Sequence, residues 1–383
     1  MQFRIIPGYQ QTINRLIKSH HNNRVGHALM FLGEEGSANL ALATAFAQFI
    51  NCSDKSEIDS CGVCNSCVKI EKYIHPDVHY YFPTAVTKKV PKKPTSEHYY
   101  EEWRNYLKKE HFVRLQDWLE AFDASNKKNL IPTADSAKII KDLSLKSFES
   151  DYRIAIIWLP EKMNAEAANK LLKIIEEPPE NVFFFLVTEN LDAVISTIRS
   201  RTQLIRIGKV SNNAMSTWLK SIKSGLSDDD YTKAVRIGEG NPSMALKSLK
   251  TELRDEDLTE YFIQWARICY ESRKKMPDII DWSDNMSRKN KEEQKNFLIY
   301  GLDFFRSGLI DMSGAIELNH HSREEKMHVS KFSKLLNPKN STKIIASFEE
   351  ANMALERFVN SKILFMNLSV EFGELINPKN VNL

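Results

Sequence analysis

Four short, almost wholly apolar runs punctuate residues 1–209 of the chain: His27–Leu32, Arg153–Leu159, Val182–Val187 and Leu204–Ile207. None alternates polar with apolar residues, so each is predicted as a strand buried on both faces. Helical spacing lies between them. Ile13, Leu16 and Ile17 mark one face of a short helix, Leu40–Ile50 is Ala-rich, and a further helix is predicted around Ala134–Phe148. Ala168, Leu171, Leu172 and Ile175 fall at i, i+3, i+4 and i+7, with Asn164 placed as N-cap and Pro178-Pro179 as the stop. Apolar strands alternating with helices predict a parallel sheet covered on both faces, an α/β core.

Beyond Lys209 the strand signals cease. Residues 210–252 read as a small helical unit, with Gly238–Pro242 as a turn before its last helix. From 253 to 383 the pattern is helical. Leu258, Tyr261, Phe262, Trp265, Ile268 and Cys269 share one face, Phe297, Leu298, Gly301 and Phe305 another, and a third stretch runs from Thr342 to about Leu375. These stripes predict a helix-bundle core, with Cys269 as packing. Residues 84–132 interrupt the α/β pattern. Lys88–Pro94 reads as a solvated tether, and Trp103, Phe112, Trp118 and Phe122 predict helices after it, so the segment is an insertion within a core spanning 1–209.

Composition narrows the classes. At 383 residues the chain suits two or three domains, and 42% hydrophobic with 27% charged residues is a globular balance. Fifty-three basic against fifty acidic residues leave a formal charge of +3, which by itself argues neither for nor against nucleic acid. Met1–Thr12 has no apolar leader and no run is long enough to span a bilayer, so a cytoplasmic location is expected. Cysteines in that compartment need a reason other than disulfides.

Cys52, Cys61, Cys64 and Cys67 supply one: C-x8-C-x2-C-x2-C. Four thiolates close a tetrahedral shell around Zn²⁺ and leave no position for water, which makes the expected site structural. Four independent thiols is the blander alternative, and a redox pair leaves two cysteines over.

The run into Gly33-Glu34-Glu35-Gly36-Ser37-Ala38-Asn39-Leu40 and the helix after it set out a phosphate loop. A working loop needs Lys on the β- and γ-phosphates and Ser or Thr on Mg²⁺. Aligned from Gly33, those places hold Asn39 and Leu40. The second strand should end in carboxylates, yet Ile154–Ile157 runs into Trp158 and Leu159, with Glu161 displaced toward a surface or capping position. No nucleotide is expected, although backbone amides at the helix start could still cradle an anion.

The stretch Met163–Pro179, the strand Val182–Thr188 and Ile198-Arg199-Ser200-Arg201-Thr202 together resemble the clamp-loader branch of AAA+ proteins. The four-cysteine module and His75-Pro76-Asp77 are shared with its bacterial members. The resemblance covers roughly residues 5–250, leaving 84–132 unmatched. It implies a P-loop NTPase-like AAA+ core (1–209), a helical lid (210–252) and an all-α collar (253–383). Degraded nucleotide motifs with the Ser-Arg motif retained mark its delta-prime family. That family is a non-hydrolysing part of the DNA polymerase III holoenzyme. It works in a five-membered ring with gamma/tau ATPase and delta subunits, which loads the sliding clamp on primed DNA. The matching arginine finger is Arg201, with Ser200, offered to the neighbour's nucleotide; Arg201 as a structural ion pair is the alternative. Thr202 stands where the family has Cys, Asn190 falls at the sensor-1 place, and Ser243 where the motors carry Arg.

Three rivals differ at named positions. A gamma/tau-like motor requires Lys in place of Asn39 and acids in place of Trp158 and Leu159. A zinc-dependent nucleic-acid binder calls for basic residues around the cysteines, where Asp54, Glu57 and Asp59 stand. A metallohydrolase needs an open coordination position, with His75 and His79 as the nearby candidates.

Overall fold

A computed structural model describes residues 1–125, 127–250, 255–272, 274–289, 291–312, 336–356 and 359–377. It divides into two compact units, Met1–Lys250 and Thr251–Leu383. In the first, five parallel strands run in the order β2-β3-β4-β1-β5: β1 Ala28–Gly33, β2 Val78–Tyr81, β3 Arg153–Trp158, β4 Val182–Thr188 and β5 Gln203–Ile207. Four of these are the apolar runs of the sequence. The fifth, β2, gave no signal because Val78-His79-Tyr80-Tyr81 is short and mixed. It pairs with β3 at the sheet edge, and the Tyr81 hydroxyl donates to Asp142 at 2.8 Å.

Helices α1 (Gln10–His21), α2 (Asn39–Ile50), α3 (Asn65–Glu71), α4 (Tyr100–Lys109), α5 (Leu115–Ala121), α6 (Thr133–Ser144), α7 (Ala165–Glu176) and α8 (Ser196–Arg199) belong to this unit. Every residue of α2 is buried, which accounts for its small and apolar composition. Asn164 caps α7 as expected, accepting from the Ala167 amide at 2.7 Å. The helix ends at Glu176, and Glu177, ahead of Pro178, is no longer helical. Helix α6 stops at Ser144, four residues short of the expected end. The Asp77 carboxylate takes the amides of Phe148, Glu149 and Ser150 at 2.7, 2.8 and 3.0 Å, which draws this loop toward the start of β2.

The insertion is no appendage. Trp103, Phe112, Trp118 and Phe122 are buried in the same core as α2 and β1. Trp103 stacks on Phe82 at 4.3 Å and lies 5.2 Å from Trp158, while the Trp118 indole donates to the Pro83 carbonyl at 2.8 Å. The tether reading of Lys88–Pro94 needs correcting. Its lysines are exposed, but Val90 and Thr87 are buried and bonded to one another, and the Thr87 hydroxyl meets that of Tyr99 at 2.7 Å. One apolar residue among the lysines anchors the turn.

Helices α9 (Asn212–Ile222), α10 (Asp228–Gly238) and α11 (Pro242–Lys250) complete the first unit. The second unit holds α12 (Asp255–Tyr270), α13 (Met276–Arg288), α14 (Lys291–Met312), α15 (Pro338–Glu356) and α16 (Ser361–Ile376). The single stretch expected from Thr342 to Leu375 is two helices, the second capped by Asn360. Trp265 stacks on Phe372 at 4.6 Å in an aromatic core that includes Phe262, Phe297, Phe305 and the buried Cys269. Gly301 is required there, since a Cβ would lie 2.2 Å from the Phe348 ring. No helix among the described residues is long and apolar enough to cross a membrane.

Candidate functional site

The loop after β1 is closed by its own chain. Asn39 is 1% exposed, and its side chain folds back, the amide donating to Gly33 O at 3.4 Å and the oxygen accepting from the Leu40 amide at 2.8 Å. Leu40 is buried in the core. Gly36 adopts φ +75° and a Cβ there would lie 2.8 Å from Cβ of Ser243, so the start of α11 rests directly on the loop. The Ser243 backbone amide donates to Gly36 O at 3.3 Å and the Asn241 side-chain Nδ2 to Glu35 O at 2.7 Å. The insertion closes the other side: Arg114 reaches Glu35 at 3.4 Å, and Asp117 pairs with Lys247 of α11 at 2.8 Å.

At the carboxyl ends of β3 and β4 the side chains have the wrong character for a triphosphate. Trp158 and Leu159 are each 1% exposed, and Leu159 turns with φ 58°. Glu161 caps β4, accepting from the Thr188 hydroxyl at 2.9 Å and the Glu189 amide at 3.0 Å. Glu189 lies beside it. Burial, reinforced by Glu35 and Glu161 against the pull of Lys162 and Arg114, raises its carboxyl to about 8. Where a nucleotide site has ionised acids to hold its metal, this chain has the buried Trp158 and Leu159, a Glu161 taken up by the end of β4 and a Glu189 that keeps its proton near neutral pH. Asn190 caps the next turn, its oxygen accepting the amides of Asp192 and Ala193 at 3.1 and 3.2 Å.

Arg201 lies in the turn between α8 and β5, about one-third exposed. Its Nε and Nη2 meet Oε1 of Glu176, and Nη1 donates to Thr197 O at 2.9 Å and Ser200 Oγ at 3.2 Å. Arg199 pairs separately with Asp192 at 2.9 Å. The Thr202 hydroxyl donates to Arg199 O at 3.1 Å and so closes the turn. Arg201, Glu176, Ser200 and His27 line an open pocket of about 430 Å³.

The four cysteines converge. All their sulfurs lie within 4.8 Å of one another, with Cys61–Cys67 at 3.9 Å and Cys52–Cys64 at 4.0 Å. A tetrahedral Zn–S shell with bonds near 2.3 Å has sulfur–sulfur edges of roughly 3.8 Å, so the geometry fits that ion. Amides of Cys61, Cys64 and Cys67 point at neighbouring sulfurs. Burial opposes ionisation of the Cys64 thiol, but donors from Cys67 and Ser53 bring it down to about 6. His75 and His79 stand apart from this cluster. His75 bonds Ser66 at 2.7 Å and Ser150 at 3.0 Å, tying the cysteine module to the loop held by Asp77, and His79 faces Asp142 at 3.8 Å.

Sequence reasoning passed over Arg114, Glu189 and Glu176. Arg114 sits in the unmatched insertion and Glu189 ends an apolar strand, so neither carried a motif. Glu176 did carry a signal, because an acid in the last turn of a helix opposes the macrodipole and calls for a cationic partner.

A parallel sheet with a loop between β1 and the buried α2 defines an α/β protein on the phosphate-loop plan. The family described as DNA polymerase III, delta subunit, matches residues 8–211, more than half of the chain, and the chain belongs to it. It is 26% identical over 242 residues to DNA polymerase III subunit delta' of Escherichia coli, covering 63% of this chain and 59% of that one. The Bacillus subtilis delta' subunit is 26% identical over 190 residues, 50% of this chain and 44% of its own. DNA polymerase III subunit gamma/tau of Mycobacterium bovis is 27% identical over 224 residues, 57% of this chain and 31% of its own. The chain thus spans about three-fifths or less of the length of these relatives. Both kinds lie at similar identity, so the distinction falls to the site residues.

Proposed function

We propose that this chain is a delta-prime-type clamp-loader subunit that does not hydrolyse ATP and donates Arg201, steadied by Ser200, to the nucleotide of a neighbouring gamma/tau subunit. One observation carries the reading. The chain's own phosphate loop is packed by Asn241, Ser243 and Arg114 and lined by Glu35, Glu161 and Glu189, while Arg201 stands over an open pocket. A guanidinium supplied in trans neutralises charge that develops on the γ-phosphate. Lysine at Asn39 and acids at Trp158 and Leu159, which a gamma/tau motor needs, are all missing. The partners are the gamma/tau and delta subunits of a five-membered ring in the cytoplasm, and through them the sliding clamp and primed DNA.

The test is ATP hydrolysis by the reconstituted assembly with wild-type and Arg201→Ala protein. The isolated chain turns over no ATP, and the variant lowers the assembly's rate at least tenfold, given that fingers of this kind contribute on the order of 10³ or more. An unchanged rate refutes the assignment.

Cys52, Cys61, Cys64 and Cys67 would hold a structural zinc that staples the turn between α2 and α3. Purified protein should contain about one zinc per chain, and Cys64→Ser should lose it and unfold at lower denaturant. A zinc-free chain with wild-type stability rules the metal out.

A further inference from the structure

The one carboxylate in the Arg201 pocket is in an unexpected place. Glu176 is the last residue of α7, where unpaired carbonyls make a negative charge unfavourable. Its Oε1 nonetheless takes both Nε and Nη2 of Arg201, the edge of the guanidinium that otherwise grips a phosphate. The opposite nitrogen, Nη1, is held by Thr197 O and Ser200 Oγ, anchors that do not depend on Glu176. Arg199 has its own acid in Asp192, so Glu176 serves Arg201 alone among these two arginines. Both members of the pair are partly exposed, 34% for Arg201 and 44% for Glu176, and both face the open pocket with His27. A pair so wet is weakly held, and a multiply charged phosphate arriving from the pocket competes with it.

We infer that Glu176 stows Arg201: the carboxylate occupies the phosphate-binding edge of the guanidinium until a terminal phosphate from the adjoining subunit displaces it. This rests on the trans-arginine reading. Glu176 is then a positioning residue whose effect opposes engagement. Nη1 keeps the arm in place while Nε and Nη2 exchange one oxyanion for another. Because a carboxylate left in the pocket repels the incoming phosphate, its removal favours engagement.

The experiment is steady-state ATP hydrolysis by the reconstituted assembly across ATP concentrations, with wild-type, Glu176→Gln, Arg201→Ala and doubly substituted protein. Glu176→Gln should raise kcat/KM roughly two- to fivefold, mainly through a lower KM, the range expected when an exposed ion pair is removed as competitor. The gain should vanish when Arg201 is alanine. A fall in kcat toward the Arg201→Ala level would show that Glu176 aims the arginine instead of stowing it, and overturn the inference. So would an unchanged kcat/KM, or a gain that persists without Arg201. If Arg201→Ala itself leaves turnover untouched, the trans-arginine reading fails first. If it lowers turnover but Glu176→Gln gives no gain, only the stowing inference fails.

Discussion

Two turns at the sheet, one after β1 and one before β5, treat their polar groups in opposite ways. In the loop from Gly33 to Leu40 polar groups turn toward the chain: Asn39 bonds its own loop and Gly36 O meets Ser243, while Trp158 is buried at the end of β3. In the Ser200–Thr202 turn, the Ser200 and Thr202 hydroxyls donate to carbonyls of the preceding residues, Ser200 Oγ also accepts from Arg201, and Arg201 lies at an open pocket. Burial separates the two: the loop is packed, and the turn is open. The loop lies where a phosphate loop would, between β1 and α2, and its Asn39 and Leu40 are buried together with Trp158. The arginine contributes little to the core and stays partly exposed at the open pocket.

The sharpest break of this contrast is Trp158→Ala. The indole is buried against Trp103, which itself stacks on Phe82, so truncation removes a large aromatic and leaves a cavity where the insertion meets β3. A loss of about 3–5 kcal/mol is expected. Urea unfolding followed by far-UV circular dichroism measures it. A cost below about 1 kcal/mol would mean that the insertion does not seal this end of the sheet.

Glu189→Gln is expected to have a smaller effect, and one that depends on pH. The folded chain holds the Glu189 proton up to about 8, whereas an unfolded glutamate releases it near 4.5. Between those values the native state binds the extra proton, so stability falls as pH rises through the window and levels off above it. Glutamine has no proton to lose. The stability of Glu189→Gln relative to wild type should therefore grow by about 1–3 kcal/mol between pH 5 and 8, discounted from the full shift because the pocket is partly wet. Parallel urea curves at the two pH values decide this. A constant difference would place Glu189 in ordinary solvent, away from the influence of Glu35 and Glu161.

What the sequence disclosed follows the same division. Continuous apolar strands, the Asn164 cap and the spacing of the four cysteines are local patterns, and each was readable because its cause lies within a dozen or so residues. The missing lysine at Asn39 and the missing acids at Trp158 and Leu159 were likewise visible, since a motif fixes the positions at which to look. The filling of the loop was not. It depends on Arg114, Asn241 and Ser243 arriving from segments far along the chain, and on one valine, Val90, that turns a lysine-rich stretch into a folded strap. Edge strand β2 escaped because two tyrosines and a histidine in four residues show no strand periodicity. Glu176 was in plain view within the helix, but its role needs the fold to bring Arg201 beside it.

The smallest stability effect should come from the residue with the largest proposed role. Arg201 is joined to Glu176 and to two groups of its own turn, and it is one-third exposed. Exposed pairs of this kind contribute little, so Arg201→Ala should shift the urea unfolding free energy by less than about 0.5 kcal/mol. The comparison with Trp158→Ala then separates two explanations of a lost activity. If the assembly loses ATP turnover while the variant chain unfolds like wild type, the arginine acts at the neighbouring site. If Arg201→Ala instead destabilises the chain by more than about 1.5 kcal/mol, Arg201 is a structural ion pair after all. The turn before β5 would then belong with the loop after β1, as a place where the family's chemistry has been absorbed into packing.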